Sequence, residues 1–359
     1  HNLVSAQGWS QASCPLCAGV RLRCNHIETD TCHLLFTFHA KVAYYLSWTR
    51  IMKKDFTLRS NFDGLGLSVM TTVPEGRGRA VLQVVHGMKG HKERYLPMME
   101  YLASHGIICV AADHRGHGGS VIDRKDLGYM YGGGATALVD DMKTVNAWCH
   151  DNYPQLPVFL LGHSMGALVS RAYVKRYDST ISGLMLCGNP SLHPALPILR
   201  MMLRFMYFIG QNRYRPWIVP TLAEHKFNKK FLSEGAGSWT CSDIVERSRY
   251  ASDPLSDFAF TVDADLSLLA VMSEAYSYEG WIVSRPSLPV YFISGSDDPC
   301  MTSEAHFHKS ASHMVQVGYS DVSSAIYEGM RHEVLNEINK KVVWDDILNH
   351  INNWLSACT

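Results

Sequence analysis

The sequence predicts an α/β chain: a mostly parallel central sheet with helices on both faces and one helical insertion. Three observations carry this. From residue 56 onward, short apolar runs alternate with segments of helical period, and repeated strand–helix–strand units build parallel sheets covered on both sides. Between Pro190 and Trp281 that rhythm breaks into a stretch rich in Arg, Met and aromatic residues, which reads as a cap inserted at about 190–281. The composition, 47% hydrophobic and 18% charged over 359 residues, is that of a globular chain able to bury a large core without disulfide or metal staples.

Each element follows in order. Phe56–Arg59 and Leu65–Thr72 flank the turn Asn61-Phe62-Asp63-Gly64 and read as a hairpin. Ala80–Val85 and Ile107–Ala112 are apolar runs of strand length, and between them Tyr95–Ser104 has helical spacing that stops at Gly106. Ala135–Asn152 is a helix closed by Pro154, Val158–Leu161 a short buried strand, and Met165–Tyr177 a helix entered through a glycine-rich turn. Ile181–Cys187, Val290–Ser294 and Val322–Tyr327 are further strands, and Val334–Leu355 closes the chain with helical pattern.

Other classes are set aside on composition. Lys plus Arg and Asp plus Glu number 33 each, and this balance argues against a dedicated nucleic-acid binder. No run of apolar residues is long enough for a membrane span. Ten cysteines occur, and from Cys109 onward they are isolated, several in apolar runs, as buried thiols of a reducing compartment are; a cytoplasmic protein is expected. The first four, Cys14, Cys17, Cys24 and Cys32, are crowded together. Cys14-x-x-Cys17 could open a zinc site completed by His26, Cys32 or His33, but the second half of the spacing is irregular. Residues 1–51 are expected to be a non-native or disordered extension, because the character changes at Met52-Lys53-Lys54-Asp55-Phe56, with the folded domain spanning 52–359.

The sharpest local signal is Gly162-His163-Ser164-Met165-Gly166, a G-x-S-x-G pattern with a strand leading in and a helix leading out. The glycines make room around a serine held in a strained turn. A serine hydroxyl needs a base, and the base a carboxylate, following in the order Ser, Asp or Glu, His. Asp298, with Asp297 as the alternative, comes after the strand Val290–Ser294, and His332 lies between the strand Val322–Tyr327 and the final helix. Backbone N–H donors for an oxyanion are expected at Met165, after the nucleophile, and at Met88, in the loop His86-Gly87-Met88-Lys89-Gly90-His91. His86 and Gly87 in that loop are candidate substrate contacts.

Together these residues resemble the monoacylglycerol lipase and lysophospholipase branch of the α/β-hydrolase superfamily. The matching segments are His86-Gly87-Met88 with His91-Lys92-Glu93-Arg94-Tyr95, Asp113-His114-Arg115-Gly116-His117-Gly118, the Ser164 motif, Gly295-Ser296-Asp297-Asp298-Pro299 and Arg331-His332-Glu333. The resemblance covers about Met52 to Leu355. It implies an α/β-hydrolase fold, a triad of Ser164, Asp298 and His332, oxyanion donors at Met88 and Met165, a helical cap and no cofactor. One departure stands out: Lys89-Gly90 occupies the place where the family usually has a glutamate before the histidine. Asp113, His114 and His117 have the spacing of a metal cluster, but a structural loop beneath the site is the expectation.

The expected activity is therefore hydrolysis of a small lipid ester with one acyl chain, without metal. Between Ser191 and Phe231 the insertion carries seven basic residues against one acid, Glu224. Its stretch Ile198–Gly210 mixes charge with apolar side chains, which suits an acyl channel or peripheral contact with a lipid surface. Arg200 and Arg204 are candidate contacts to an anionic head group. Competing readings are a lysophospholipase, a proline-iminopeptidase-type aminopeptidase, an acyltransferase and an inactive binding module.

Overall fold

The computed structural model describes residues 51–192 and 196–357. The extension expected over residues 1–51 thus falls, except for Ile51, outside the described residues, as does the Cys14–His33 cluster. The described strands form one eight-stranded sheet in the order β1-β2-β4-β3-β5-β6-β7-β8. The strands are β1 (Met52–Arg59), β2 (Gly66–Val73), β3 (Ala80–Val85), β4 (Ile107–Ala112), β5 (Val158–His163), β6 (Gly183–Cys187), β7 (Val290–Gly295) and β8 (Val322–Tyr327). β2 runs antiparallel to both neighbours, pairing Phe56 with Val69 and Val69 with Ala112, while β4 through β8 are parallel. The hairpin's first strand starts at Met52, four residues before the expected Phe56. Its Lys53, Lys54 and Asp55 hide it from an apolar pattern, as charges on an edge strand do.

The helices are α1 (Leu96–Ser104), α2 (Gly134–Asn152), α3 (Met165–Tyr177), α4 (Leu196–Phe208), α5 (Ile218–Phe227), α6 (Ile244–Ala251), α7 (Val262–Tyr276), α8 (Glu304–Gln316) and α9 (Lys340–Ala357). Alternate side chains of the buried strands feed two cores. Val84, Phe159, Leu161, Met185 and Ile293 face α1 and α9, packing on Met98, Leu102, Val343 and Ile347. Leu160, Leu184, Leu186 and Phe292 face α3, α7 and α8, packing on Leu168, Val271 and Phe307. That period-two division is why each run is apolar throughout.

One boundary and one helix differ from expectation. The C-terminal helix begins at Lys340, because residues 334–339 form turns. The sequence reading assigns nothing between Met301 and Asp321, yet α8 lies there, capped by Ser303 accepting from His306 N. Its apolar stripe is only Phe307, Ala311 and Met314 amid three histidines. The last helix of the insertion, α7, packs into the main core through Ala264, Val271, Met272 and Ala275. Among the described residues no helix is long and apolar enough to cross a membrane.

Candidate active site

The order of strands reverses at β3, between β4 and β5. At such a switch point the loops leaving the carboxyl ends diverge and leave a crevice. The loop after β3 and the turn after β5 both open there.

Ser164 occupies the turn between β5 and α3 with φ 56° and ψ −118°. A non-glycine residue with positive φ is strained by about 1–3 kcal/mol. The strain is held by close approaches on either side: a Cβ on Gly162 would lie 2.4 Å from Gly166 O, and one on Gly166 only 2.1 Å from Val85 O. Ser164 N donates to Cys187 O at 2.9 Å, which ties the turn to β6.

The hydroxyl of Ser164 lies 2.8 Å from His332 Nε2. His332 Nδ1 lies 3.0 Å from both oxygens of Asp298. Asp298 is buried at the end of β7, where it also accepts from Cys300 N at 2.8 Å and from Ser294 Oγ at 3.2 Å. Burial works against its charge, but His332 and these donors hold its pKa below the usual carboxylate value. Burial likewise works against a charged His332, and the Asp298 carboxylate outweighs it, raising the imidazole well above its ordinary value. With Nδ1–H donated to Asp298, Nε2 is left as an acceptor for the serine proton. Asp297 turns away and pairs with Lys230 of the cap.

The loop after β3 presses on Ser164: a Cβ on Gly87 would stand 3.0 Å from Ser164 Cβ. The N–H groups of Met88 and Met165 have no hydrogen-bond partner among the described residues. Behind this loop His86 Nε2 accepts from His114 N at 2.8 Å, and His86 Nδ1 lies 2.8 Å from Gly87 O. Burial drives His114 down to about 4 and His117 to about 3, so both are neutral supports. Asp113 is taken up by Lys92 N, Lys92 Nζ and Gly119 N, so the Asp113–His117 segment is a structural loop beneath the site.

Over Ser164 lies a cavity of ≈ 410 Å³ whose lining includes Gly87, Met88, Lys89, Phe227, Trp239 and Tyr250. Its roof comes from α5, α6 and the segment between them. The Trp239 ring lies 5.3 Å from that of His332, tilted by 41°. His86 stands behind the loop and is not part of the lining, whereas Gly87 is. Arg200 and Arg204 are elsewhere: they line an open groove with Gly132, Tyr207 and Asp263, between α4 and α7. The reason is the packing of α4, which docks on α7 through Leu199, Leu203 and Met206. Other cap cations are engaged, with Arg213 on Asp126 at 2.7 Å and Arg215 Nη2 on Leu127 O at 2.8 Å.

Sequence reasoning missed the groups that frame His332. Arg94 makes two bonds to Glu333, at 2.8 and 2.6 Å, and its guanidinium covers the Tyr250 ring at 4.2 Å. Arg331 pairs with Glu234 at 2.7 Å and donates to Ser238 O at 2.6 Å. Tyr95 OH lies 2.8 Å from His163 Nδ1. Arg94 and Glu333 are 239 positions apart, so only the fold reveals the pair. Among the described residues, one set of side chains is close enough for a metal: Asp298, Cys300 and His332, with ligand atoms within 4.8 Å of one another. A metal there would displace the Nδ1 proton that links His332 to Asp298.

Fold and site together define an α/β-hydrolase. The chain belongs to the family described as "Serine aminopeptidase, S33", whose model matches residues 76–339. It is similar to the monoacylglycerol lipase of Mycolicibacterium smegmatis, 24% identical over 281 residues, covering 77% of this chain and 90% of that protein. The monoglyceride lipase of Rattus norvegicus is 27% identical over 302 residues, covering 82% and 88%. Among solved structures, a thermostable carboxyl esterase from Bacillus coagulans, in complex with glycerol, superposes with a TM-score of 0.77 at 25% identity, covering 84% of this chain and 99% of that one. A soluble variant of monoglyceride lipase from Saccharomyces cerevisiae shares the fold, with a TM-score of 0.61 at 19% identity and coverages of 86% and 97%.

Proposed function

We propose that this chain is a serine hydrolase acting on carboxylic esters with one long acyl chain, of the monoacylglycerol kind. The observation that carries the reading is the continuous line from Ser164 Oγ through His332 to Asp298, at 2.8 and 3.0 Å, opening into a largely apolar cavity. Ser164 Oγ attacks the ester carbonyl as His332 Nε2 takes its proton. The N–H groups of Met88 and Met165 receive the negative charge on the carbonyl oxygen. His332 returns the proton to the departing alcohol, leaving an acyl-enzyme. It then deprotonates a water, which releases the acid and restores Ser164. Asp298 keeps Nδ1 protonated and stabilises the imidazolium.

The lipid character rests on Met88, Phe227, Trp239 and Tyr250 around the cavity, together with the names of the relatives. Helix α4 offers a surface for peripheral contact with lipid: Ile198, Met201, Met202, Phe205 and Phe208 are exposed. The buried free thiols Cys109, Cys149, Cys187, Cys241 and Cys300 suit a reducing, cytoplasmic setting.

The test is labelling by a fluorophosphonate probe, with mapping of the modified residue, on the native chain and on Ser164→Ala. para-Nitrophenyl esters of graded chain length are assayed alongside. Labelling at Ser164 that is lost in the variant, with preference for longer chains, is the expected result. A folded sample that neither labels nor turns over esters would sink the proposal. An aminopeptidase is the second reading, favoured by the family description and by Asp257 on the cavity wall. Of the other acids there, Glu333 is paired with Arg94, and Glu224 accepts from Gly237 N and Trp239 Nε1. Release of naphthylamine from aminoacyl naphthylamides faster than ester hydrolysis would establish it.

A further inference from the structure

Three long cationic side chains line the cavity over Ser164: Lys89, Arg94 and Arg247. Arg94 is paired with Glu333 and Arg247 with Glu234. Lys89 has no hydrogen bond or ion pair among the described residues, although its side chain is half-buried. Cations withdrawn from water are ordinarily paired. Its backbone is also held at φ 58°, a left-handed conformation that an L-residue adopts at a cost. The loop that holds it touches the nucleophile through Gly87. A strained, half-buried and unpaired lysine thus stands one residue beyond the expected oxyanion donor.

We propose that Lys89 is a specificity-determining residue that selects esters whose alcohol part carries a phosphate. The proposal rests on the serine-hydrolase reading above and names the substrate class of the same site. Once the carbonyl is seated on Ser164, both halves of the ester must share the one cavity. A phosphate a few bonds from the ester oxygen comes within reach of a lysine on that wall, and a charge-assisted N–H···O bond supplies the partner the ammonium lacks. The groups facing Lys89 from the cap are Asp257 and Glu224. Glu224 is occupied by Gly237 N and Trp239 Nε1, and Asp257 is exposed, so neither replaces a bound anion. Burial lowers the Lys89 pKa, and a substrate anion opposes that shift. This moves recognition of an anionic head group from Arg200 and Arg204, outside the cavity, to a residue in its wall.

The experiment compares kcat/KM for three substrates with the same acyl chain: 1-acylglycerol, its 3-phosphate and its 3-phosphocholine. The proteins are the native chain, Lys89→Gln, Lys89→Arg and Lys89→Gly. Glycine accepts φ 58° without strain, so it removes the charge while preserving the loop. The phosphate-to-neutral ratio of kcat/KM should fall at least tenfold in Lys89→Gln and Lys89→Gly and recover in Lys89→Arg. The phosphocholine ratio should fall with it, since the phosphate is the shared group; a fall confined to the 3-phosphate would instead show that net charge alone is sensed and would overturn direct phosphate recognition. An unchanged ratio in both charge-removing variants overturns the role of Lys89. Fluorophosphonate labelling of Ser164 in every protein separates the two failures. Labelled variants with an unchanged ratio sink Lys89 alone, whereas an unlabelled native chain sinks the hydrolase reading and this proposal with it.

Discussion

Two parts of the same insertion meet the rest of the molecule in opposite ways. The segment from Phe231 to Asp257 is bound to the loops around Ser164 and His332 by ion pairs, a cation–π contact and a backbone hydrogen bond. Arg331 sits over the Phe231 ring at 3.8 Å and pairs with Glu234, Glu333 N donates to Thr240 O at 2.7 Å, and His91 bridges to Asp253 at 2.5 Å. Helix α4 instead holds on by one apolar seam, Leu199, Leu203 and Met206, and turns the rest of its hydrophobic surface outward. Charged contacts with fixed geometry set positions; an apolar face without a partner offers area. The inner segment therefore sets the shape of the cavity, and α4 lies where it can touch something beyond the chain without disturbing Ser164.

The sharpest way to test the inner side is to break its centre. Replacing Asp298 by Asn should lower kcat by about 10³–10⁴-fold, as loss of the orienting carboxylate does in such triads. In the proposed mechanism activity requires neutral His332, so it should rise as pH passes upward through that pKa. Because Asp298 is what raises it, the residual activity of the variant should have its acid limb at lower pH than the native protein. A pH–rate profile of both proteins checks this.

One step out, Glu333→Gln leaves the half-buried Arg94 guanidinium without its buried counter-charge. Breaking one side of a buried pair costs about 3–5 kcal/mol, measured as a fall in the denaturant midpoint. Burial works against the Glu333 charge, but Arg94 holds its pKa down to about 2, so the loss should be full at neutral pH.

Asp265 lies in the first turn of α7, the helix on which α4 docks. Its buried carboxylate has no hydrogen bond or ion pair among the described residues, and burial pushes its pKa up to about 7. From about pH 4 to 7 the folded state holds a proton that the unfolded chain releases, so this residue lowers stability as pH rises. Asp265→Asn should stabilise the fold at pH 8 by an amount on the order of 1–3 kcal/mol, read as a higher Tm, and leave stability nearly unchanged at pH 4.

The smallest effect is expected on the outer side. Phe205→Ser or Met201→Ser should change stability by less than about 0.5 kcal/mol. Either should slow hydrolysis of ester presented in vesicles relative to monomeric ester. Equal rates on both forms would remove the surface role of α4.

Much of the lower half was legible because it is local or repetitive. Strands buried on both faces show as apolar runs, and the Ser164 turn must keep glycines at 162 and 166. Asp298 and His332 could be placed because each follows a strand. What was not legible depends on distance or on register. Arg94 and Glu333 meet only after folding. The direction in which Arg200 and Arg204 point follows from which stripe of α4 docks on α7. The helix Glu304–Gln316 hides because half of its inner face is serine, alanine and histidine. Lys89 shows as a departure from a familiar pattern, but its solitude in the cavity wall is visible only once Arg94 and Arg247 are seen to be spoken for.

The bridges from His91, Arg94 and Arg331 to the inner cap have a kinetic consequence. They converge on the loops that carry Met88 and His332, so the roof cannot swing away as one flap without disturbing His332. Under the proposed activity, acid and alcohol would pass at the exposed edge of the cavity wall, where Met88 and Asp257 stand. If the proposed ester hydrolysis holds, exit of a long-chain acid would compete with the chemical step in setting turnover, and solvent viscosity should slow long-chain esters more than short ones.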